Sequence, residues 1–428
     1  MNGSALARFF PIQEDLKTTK KRETPMLKIA CRSVLLSLIA CASLPAFAEE
    51  PPIKIAVIGP TTGKSSEDMG ESIRGGARVF LSDINQFGGV LGRRVELLER
   101  DDQAKPDLGV RIAKEVIEKE QIVAAVGYSN TGVALPSAKV FQDARIPLII
   151  TGATGAAITQ QFMPPAVPVS YIFRITASDA LQPIVILNDV IGRRKIDRIA
   201  ILHDDSPYGQ FGKQSMLDEL KHRHLLPVAV ESVKIGELDM TAQLARAKEM
   251  GAQAIVLYCL PTEAAMIAKG AAKLKLKLPI VGPWTLSQKA FIDLSGESGE
   301  GARTAVTYVE SDMSSVSTQF SLAYKKINKT SHIPSAVAAA QTYDALRLIT
   351  LAIYQARSTD GSKIREALEK LQQPTTSTVV SRYLRPFSAN DHEAITLNMV
   401  VMGEIRKGRV EYAYKEDASR GLIARTKK

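Results

Sequence analysis

IKIAVIGPTTG, residues 53–63, opens with an apolar run that Gly59-Pro60 cuts short, which reads as a buried strand entering a loop. The next thirty residues settle what kind of strand it is. Ile73, Ala77, Phe80, Leu81 and Ile84 recur at helical spacing over 72–85, and Gly88-Gly89 stops the pattern. Outward from there, Val95–Glu99 reads as a strand and Asp107–Glu120 as a helix with Val110, Ala113, Val116 and Ile117 on one face. Ile122–Val126 is a strand, Ala134–Ala144 a helix and Pro147–Ile150 a strand. Strictly alternating strands and helices predict a parallel sheet covered by helices.

The alternation then restarts. Ile199–His203, Val228–Val233, Ala254–Tyr258 and Ile280–Gly282 read as strands; Gly209–His222, Thr241–Glu249 and Glu263–Leu274 read as the helices between them. Two similar Rossmann-like α/β lobes are therefore expected, with Ile172–Ile175 as the first passage between them. Ala305–Val309 reads as a strand leading back, Ser335–Ala356 and Lys363–Leu371 as helices, and Val379–Pro386 and Thr396–Lys407 as strands returning to the second lobe. The expected architecture is lobe 1 from 49–175 plus 305–371 and lobe 2 from 176–304 plus 372–428, joined by a three-crossover hinge. There is no short-period repeat, so a solenoid is excluded.

The N-terminal region carries a different message. Lys28 and Arg32 precede the apolar run Val34–Leu44, and Ala46-Phe47-Ala48 comes directly after it. A basic segment, a short apolar core and an A-x-A site make 26–48 a secretory signal peptide, cleaved after Ala48 for release into the periplasm. Residues 1–25 are polar and unpatterned; they read as an over-extended, disordered start upstream of Met26, with an unusually long basic region as the alternative. Leu38-Ile39-Ala40-Cys41 offers a second route, lipid anchoring at Cys41, against which soluble export is preferred. Of three cysteines, Cys31 and Cys41 fall in the signal, leaving Cys259 in AIVLYCLP as a buried structural thiol.

The formal net charge is +10, with the charges interspersed and no basic block or aromatic interleaving. That is no footprint for nucleic acid, though it suits an anionic small molecule. The loops at the ends of the first-lobe strands supply candidate contacts. Gly59 to Ser65 imitates a phosphate-binding loop but is one residue short of the spacing that cradles phosphate, so it reads as a hydroxyl-bearing loop facing a cleft. Gly127-Tyr128-Ser129-Asn130-Thr131-Gly132 follows a strand and opens a helix, where hydroxyls and a helix N-terminus suit a carboxylate. Thr151-Gly152-Ala153-Thr154-Gly155 follows the next strand in the same way. Such loops, beyond the carboxyl ends of parallel strands, are where open α/β sheets bind ligands; the bland alternative is that Ser129 and Thr154 only cap helices. In the second lobe, loops starting at His203, Tyr258 and Gly282 hold the equivalent positions, and Tyr208 and Trp284 would supply walls with polar edges. His203 with Asp204 and Asp205 does not make a metal site, because adjacent residues on an extended segment diverge. No nucleophile elbow or metalloprotease motif occurs, so no enzyme and no cofactor are expected. Asn328-Lys329-Thr330 fits a glycosylation sequon, a pattern common by chance.

Taken in order, IKIAVIGPTTG, GGARVFLSDINQFGGVLGRRVEL, GYSNTGVALPSA, FRITASDALQ, ILHDDSPYGQFGK and DMTAQLARAKEMGAQAIV resemble the periplasmic type I solute-binding proteins of the leucine/isoleucine/valine-binding group. The resemblance runs from Ile53 to about Tyr414. It implies two lobes with three hinge strands that close on a ligand, and a membrane ABC permease as the partner of a monomeric binding protein. It also implies that Ser129, Asn130, Thr131, Gly132, Ala153 and Thr154 hold a ligand carboxylate and that Tyr208 reaches it from the second lobe. Met69 and Tyr258 complete the candidates. One position departs: where leucine-binding members place an acid that meets the ligand ammonium, this chain has Trp284. Burying an ammonium without an anion is costly, so either Asp204, Asp205 or Glu263 replaces that acid or the ligand is an aromatic or aliphatic carboxylic acid lacking an amine. Trp284→Ala is expected to weaken ligand affinity and leave the fold intact. The alternative function is an extracytoplasmic sensor acting through a separate receptor.

Overall fold

Apolar strands whose two faces both need cover organise the chain. The computed structural model describes residues 50–63, 66–310, 314–371, 378–418 and 425–426. The signal segment, Cys41 and the Lys64-Ser65 end of the first loop lie outside the described residues. In the first half, β1 (Ile53–Ile58) is followed by α1 (Glu67–Gln86), β2 (Val95–Arg100), α2 (Pro106–Glu118), β3 (Ala124–Gly127), α3 (Thr131–Ala144), β4 (Leu148–Ile150), α4 (Ala157–Gln160) and β5 (Ile172–Arg174). These strands form a parallel sheet in the order β2-β1-β3-β4-β5, with Ile53 opposite Val95 and Ile55 opposite Ala124.

The chain then enters a second sheet. Its elements are α5 (Gln182–Leu187), β6 (Ile199–Asp204), α6 (Pro207–His222), β7 (Ala229–Val233), α7 (Thr241–Glu249), β8 (Ala254–Tyr258), α8 (Pro261–Lys273), β9 (Ile280–Gly282), α9 (Lys289–Ser295) and β10 (Arg303–Val306). After these come α10 (Ser315–Ile327), α11 (Ala336–Ala356), α12 (Gly361–Glu369), β11 (Tyr383–Leu384), β12 (Val401–Arg406), β13 (Arg409–Tyr412), α13 (Lys415–Ala418) and β14 (Arg425–Thr426). The second sheet runs β13-β12-β10-β9-β8-β6-β7. Its strands β6 to β10 are parallel, while β12 and β13 add an antiparallel edge. The helices α10 and α11 pack on α1 of the first sheet. The backbone thus passes between the lobes three times: after β5, after β10, and between α12 and β12.

The first and third passages lie side by side. Arg174 N donates to His392 O at 2.9 Å and Ala394 N donates to Arg174 O at 2.8 Å, a parallel bridge between Arg174 and Glu393. The Arg174 side chain, 1% exposed, reinforces it with a two-point ion pair to Glu393, Nε to Oε2 at 2.8 Å and Nη2 to Oε1 at 2.6 Å.

Three expectations change. The strand placed at Ala305–Val309 is Arg303–Val306 and belongs to the second sheet, where β9 and β12 pair with it; Thr307–Val309 only leads out. Val379–Pro386 is not a strand of the second lobe. Asp344 on α11 accepts from Val379 N at 2.6 Å, Val380 N at 2.8 Å and Tyr383 Oη at 3.1 Å, which binds the segment to the first lobe; its Tyr383–Leu384 pairs with β14 instead. The strand expected over Thr396–Lys407 begins at Val401, because Leu397–Met399 forms a 3₁₀ turn.

Candidate functional site

The end of β3 is bent to deliver a loop. Gly127 has φ +130°, and a Cβ there would lie 2.0 Å from Ile58 O; Tyr128 is left-handed at φ 60°. These consecutive turns carry Ser129 and Asn130 past the sheet edge to the start of α3, which begins without a side-chain cap. Ser129 Oγ and Asn130 Oδ1 are buried and have no hydrogen-bond partner among the described residues. Asn130 Nδ2 donates to Ser66 Oγ at 3.0 Å. Thr131 is engaged within lobe 1, its Oγ1 accepting from Gly155 N at 3.2 Å. A Cβ on Gly132 would lie 3.0 Å from Pro207 Cγ, so the starts of α3 and α6 nearly touch across the two lobes.

The loop after β4 closes on the same place. A Cβ on Gly152 would lie 2.9 Å from Ser129 Cα and 3.0 Å from Met69 Sδ, so only glycine lets the two loops and Met69 converge. Ala153, buried, anchors the loop through its N–H to Tyr128 O at 2.8 Å. The Arg174 guanidinium donates to Thr154 O at 3.0 Å and Gly155 O at 2.7 Å, fixing both carbonyls toward the hinge. Thr154 Oγ1 is buried and unpartnered among the described residues.

Asp179, in the passage after β5, is the residue that the sequence reading missed. Its N–H donates to Thr154 O at 2.9 Å. Its side chain is fully buried; the Thr154 hydroxyl stands beside the carboxylate, and neither oxygen makes a hydrogen bond of full geometry among the described residues. Burial pushes it up to about 7, against the pull of the nearby Thr154 hydroxyl and the Arg174 charge. A lone acid in FRITASDALQ, just beyond a strand's carboxyl end, was the available signal.

From the second lobe, Tyr208 in the first turn of α6 and Tyr258 at the end of β8 stand with ring centroids 5.7 Å apart. Tyr208 Oη is 3.4 Å from Thr285 Oγ1; Tyr258 Oη is buried without a partner among the described residues. Burial holds both phenols well above their ordinary range, and the Asp179 charge adds to it, so both remain neutral donors. Trp284 is 3% exposed, and its backbone N–H donates to Gln182 Oε1 at 3.1 Å, which ties it to the segment that carries Asp179.

The other acids have structural work. Asp204 accepts from Ser206 N at 3.0 Å and Leu260 N at 2.6 Å. Asp205 accepts from Ile235 N and Glu263 from Gly236 N, each at 3.0 Å. His203 Nδ1 lies 2.9 Å from Asp204 O. Thr61 N and Thr62 Oγ1 donate to Asp101, so those groups of the first loop serve the β2 end. The Asn328 amide donates to Gly75 O and Tyr324 O, a packed position at odds with glycosylation.

Compared with known proteins, residues 52–408 match the family model described as periplasmic binding protein. An amino acid binding protein of Pseudomonas aeruginosa is 27% identical over 51% of this chain, which spans 56% of that protein's length. The Leu/Ile/Val-binding protein homolog 3 of Brucella melitensis is 26% identical over 77% of this chain and 86% of its own. The crystal structure of a periplasmic binding protein type 1 from Bordetella pertussis superimposes with a TM-score of 0.75 at 23% identity, over 84% of this chain and 100% of that one.

Proposed function

Because this chain belongs to the periplasmic binding protein family, we propose that it captures a free α-amino acid with an apolar side chain, by a carboxylate grip in lobe 1 and an ammonium grip at Asp179. The family role itself is that of a non-catalytic solute-binding protein of an ABC importer, which holds a small amino acid or carboxylate between two lobes that close by hinge motion. In the proposed pose, Ser129, Thr154 and the start of α3 take the carboxylate, and Met69, Tyr208, Tyr258 and Trp284 wall the side chain. Export through 26–48 and delivery to a cognate permease belong to the same proposal.

The observation that carries this reading is the Asp179 carboxylate, buried between the lobes with both oxygens unpartnered among the described residues. A buried anion in that state favours a cationic group. It supplies, from the hinge, the negative charge that Trp284 takes away. The named functions of the two relatives, amino acid binding and Leu/Ile/Val binding, support the same class. A second reading rests on Trp284 together with the raised Asp179: a neutral carboxyl could donate to an amine-free acid.

The test is calorimetric titration of protein stripped by unfolding and refolding. One panel is L-leucine, L-isoleucine and L-valine; the other is benzoate and 4-methylpentanoate, which is leucine without its amine. Binding confined to the amino acids is expected. Binding confined to the amine-free acids overturns the ammonium grip. Ser129→Ala is expected to weaken L-leucine binding about tenfold, the loss of one hydrogen bond to a charged group, with an unchanged unfolding midpoint. Trp284→Ala now carries a second cost, because a tryptophan this buried loses about 3–5 kcal/mol of stability on truncation. Trp284→Phe keeps more of the packing, and lowered affinity in that variant at near-wild-type stability is the expected result.

A further inference from the structure

The first turn of α9 has an unusual arrangement. Its flanking residue, Gln288, makes no side-chain cap, although it is fully buried and both of its amide atoms are unpartnered among the described residues. The N–H groups that a cap would serve go to the other lobe instead. Lys289 N donates to Pro334 O at 2.8 Å, and Ala290 N donates to Asp68 Oδ2 at 2.7 Å. Both acceptors belong to lobe 1. Asp68 lies in the first turn of α1, and Ser335, next to Pro334, donates through its N–H to Ser72 Oγ of α1 at 2.7 Å. The helix α9 packs on α8 in lobe 2.

We propose that Asp68 is an interlobe latch: its carboxylate completes the N-terminus of α9 only when the lobes are closed, and so sets ligand affinity and residence time. This goes beyond the amino-acid reading and needs from it only that the lobes close. On opening, Asp68 and the Ala290 amide both return to water, so the bond counts in the closed state alone. A contact present in one of two conformations shifts their ratio by its own differential free energy, and apparent affinity follows the population of the competent state. The charged or titratable groups facing Asp68 are Lys289 and Asp293 on α9 and His332 before α11. Burial raises the Asp68 carboxyl above its ordinary value, and the Ala290 amide pulls it back.

The experiment compares wild-type protein with Asp68→Ala and Asp68→Asn, with L-leucine as the probe. Asp68→Ala is expected to raise Kd about tenfold, the effect of leaving a part-buried N–H without its acceptor, mainly through faster dissociation. Asp68→Asn keeps the acceptor and should stay within about threefold of wild type on the same scale. The unfolding midpoint of unliganded protein should not change. An Asp68→Ala Kd within twofold of wild type overturns the latch, and a lowered midpoint with unchanged Kd does so by assigning Asp68 to α1 alone. If L-leucine fails to bind wild-type protein, it is the amino-acid reading that fails. The latch is then read from the same comparison with benzoate and 4-methylpentanoate as probes: a Kd raised about tenfold in Asp68→Ala supports it, and a Kd within twofold of wild type overturns it.

Discussion

Asp179→Asn is expected to weaken L-leucine binding by at least about 30-fold, the lower end of what removing one partner of a buried, hydrogen-bonded charge pair costs. The same residue predicts a pH dependence with a definite sign. In unliganded protein the Asp179 carboxyl titrates near about 7, so below that pH an ammonium ligand must displace a proton before it meets an anion. Affinity should therefore rise about tenfold per unit as pH increases toward 7 and level off above it. Asp179→Asn should flatten the profile. An amine-free acid gives the opposite slope, because its own carboxylate is best met by protonated Asp179. Stability runs against ligand affinity: the folded-state value is raised, so folded protein holds a proton that unfolded protein gives up near 4. The contribution of Asp179 to stability is thus present at low pH and lost as pH rises through about 4 to 7. Asp344, pushed by burial to about 7 as well, titrates in parallel. The readout is therefore the difference between wild type and variant: at pH 8 unliganded Asp179→Asn should melt higher than wild type. A variant that binds L-leucine like wild type at all pH values removes Asp179 from the site.

The second large effect is on folding. Arg174→Met should cost about 3–5 kcal/mol, the range for breaking a buried ion pair by deleting one member. The loss reaches further than Glu393, because Thr154 O, Gly155 O and Thr159 Oγ1 all surrender a donor at once. Denaturant unfolding with an unchanged m-value would measure it. The double variant Arg174→Met, Glu393→Gln should recover part of the loss, since no half-buried carboxylate then stands unpaired. A loss below about 1 kcal/mol would mean that backbone pairing alone holds this region.

Much of the fold was legible because each strand or helix obeyed one period. Thr241–Glu249, Ala254–Tyr258 and Ile280–Gly282 fall where alternation and spacing place them. Legibility failed where a partner far along the chain decides. The strand β13 exists because Gly403–Arg406 is there to pair with it, and residues 379–383 stay with lobe 1 because Asp344 holds them. The helix α10 carried a signal that was overlooked, a Ser314 cap followed by Phe320 and Tyr324 on one face. The loops with candidate ligand contacts were legible as strand ends, but the use of each acid was not. Asp204, Asp205 and Glu263 are conspicuous in the sequence and are consumed by backbone amides. Asp179 is a single acid among small and polar residues, and its placement between the two lobes, where neither oxygen is hydrogen-bonded by the described residues, cannot be read from its neighbours in sequence.

The paired passages at Arg174 and Glu393 bear on how the molecule moves. Two segments joined by one bridge and pinned by a buried guanidinium resist sliding past each other and resist twisting, while they still bend together across their common face. A door hung on a stiff leaf of this kind swings about one axis. The unliganded ensemble is then confined to a single arc of openings, so capture gives up less orientational freedom than closing a loosely tethered pair of lobes would, and every ligand that fits is met by the same stroke.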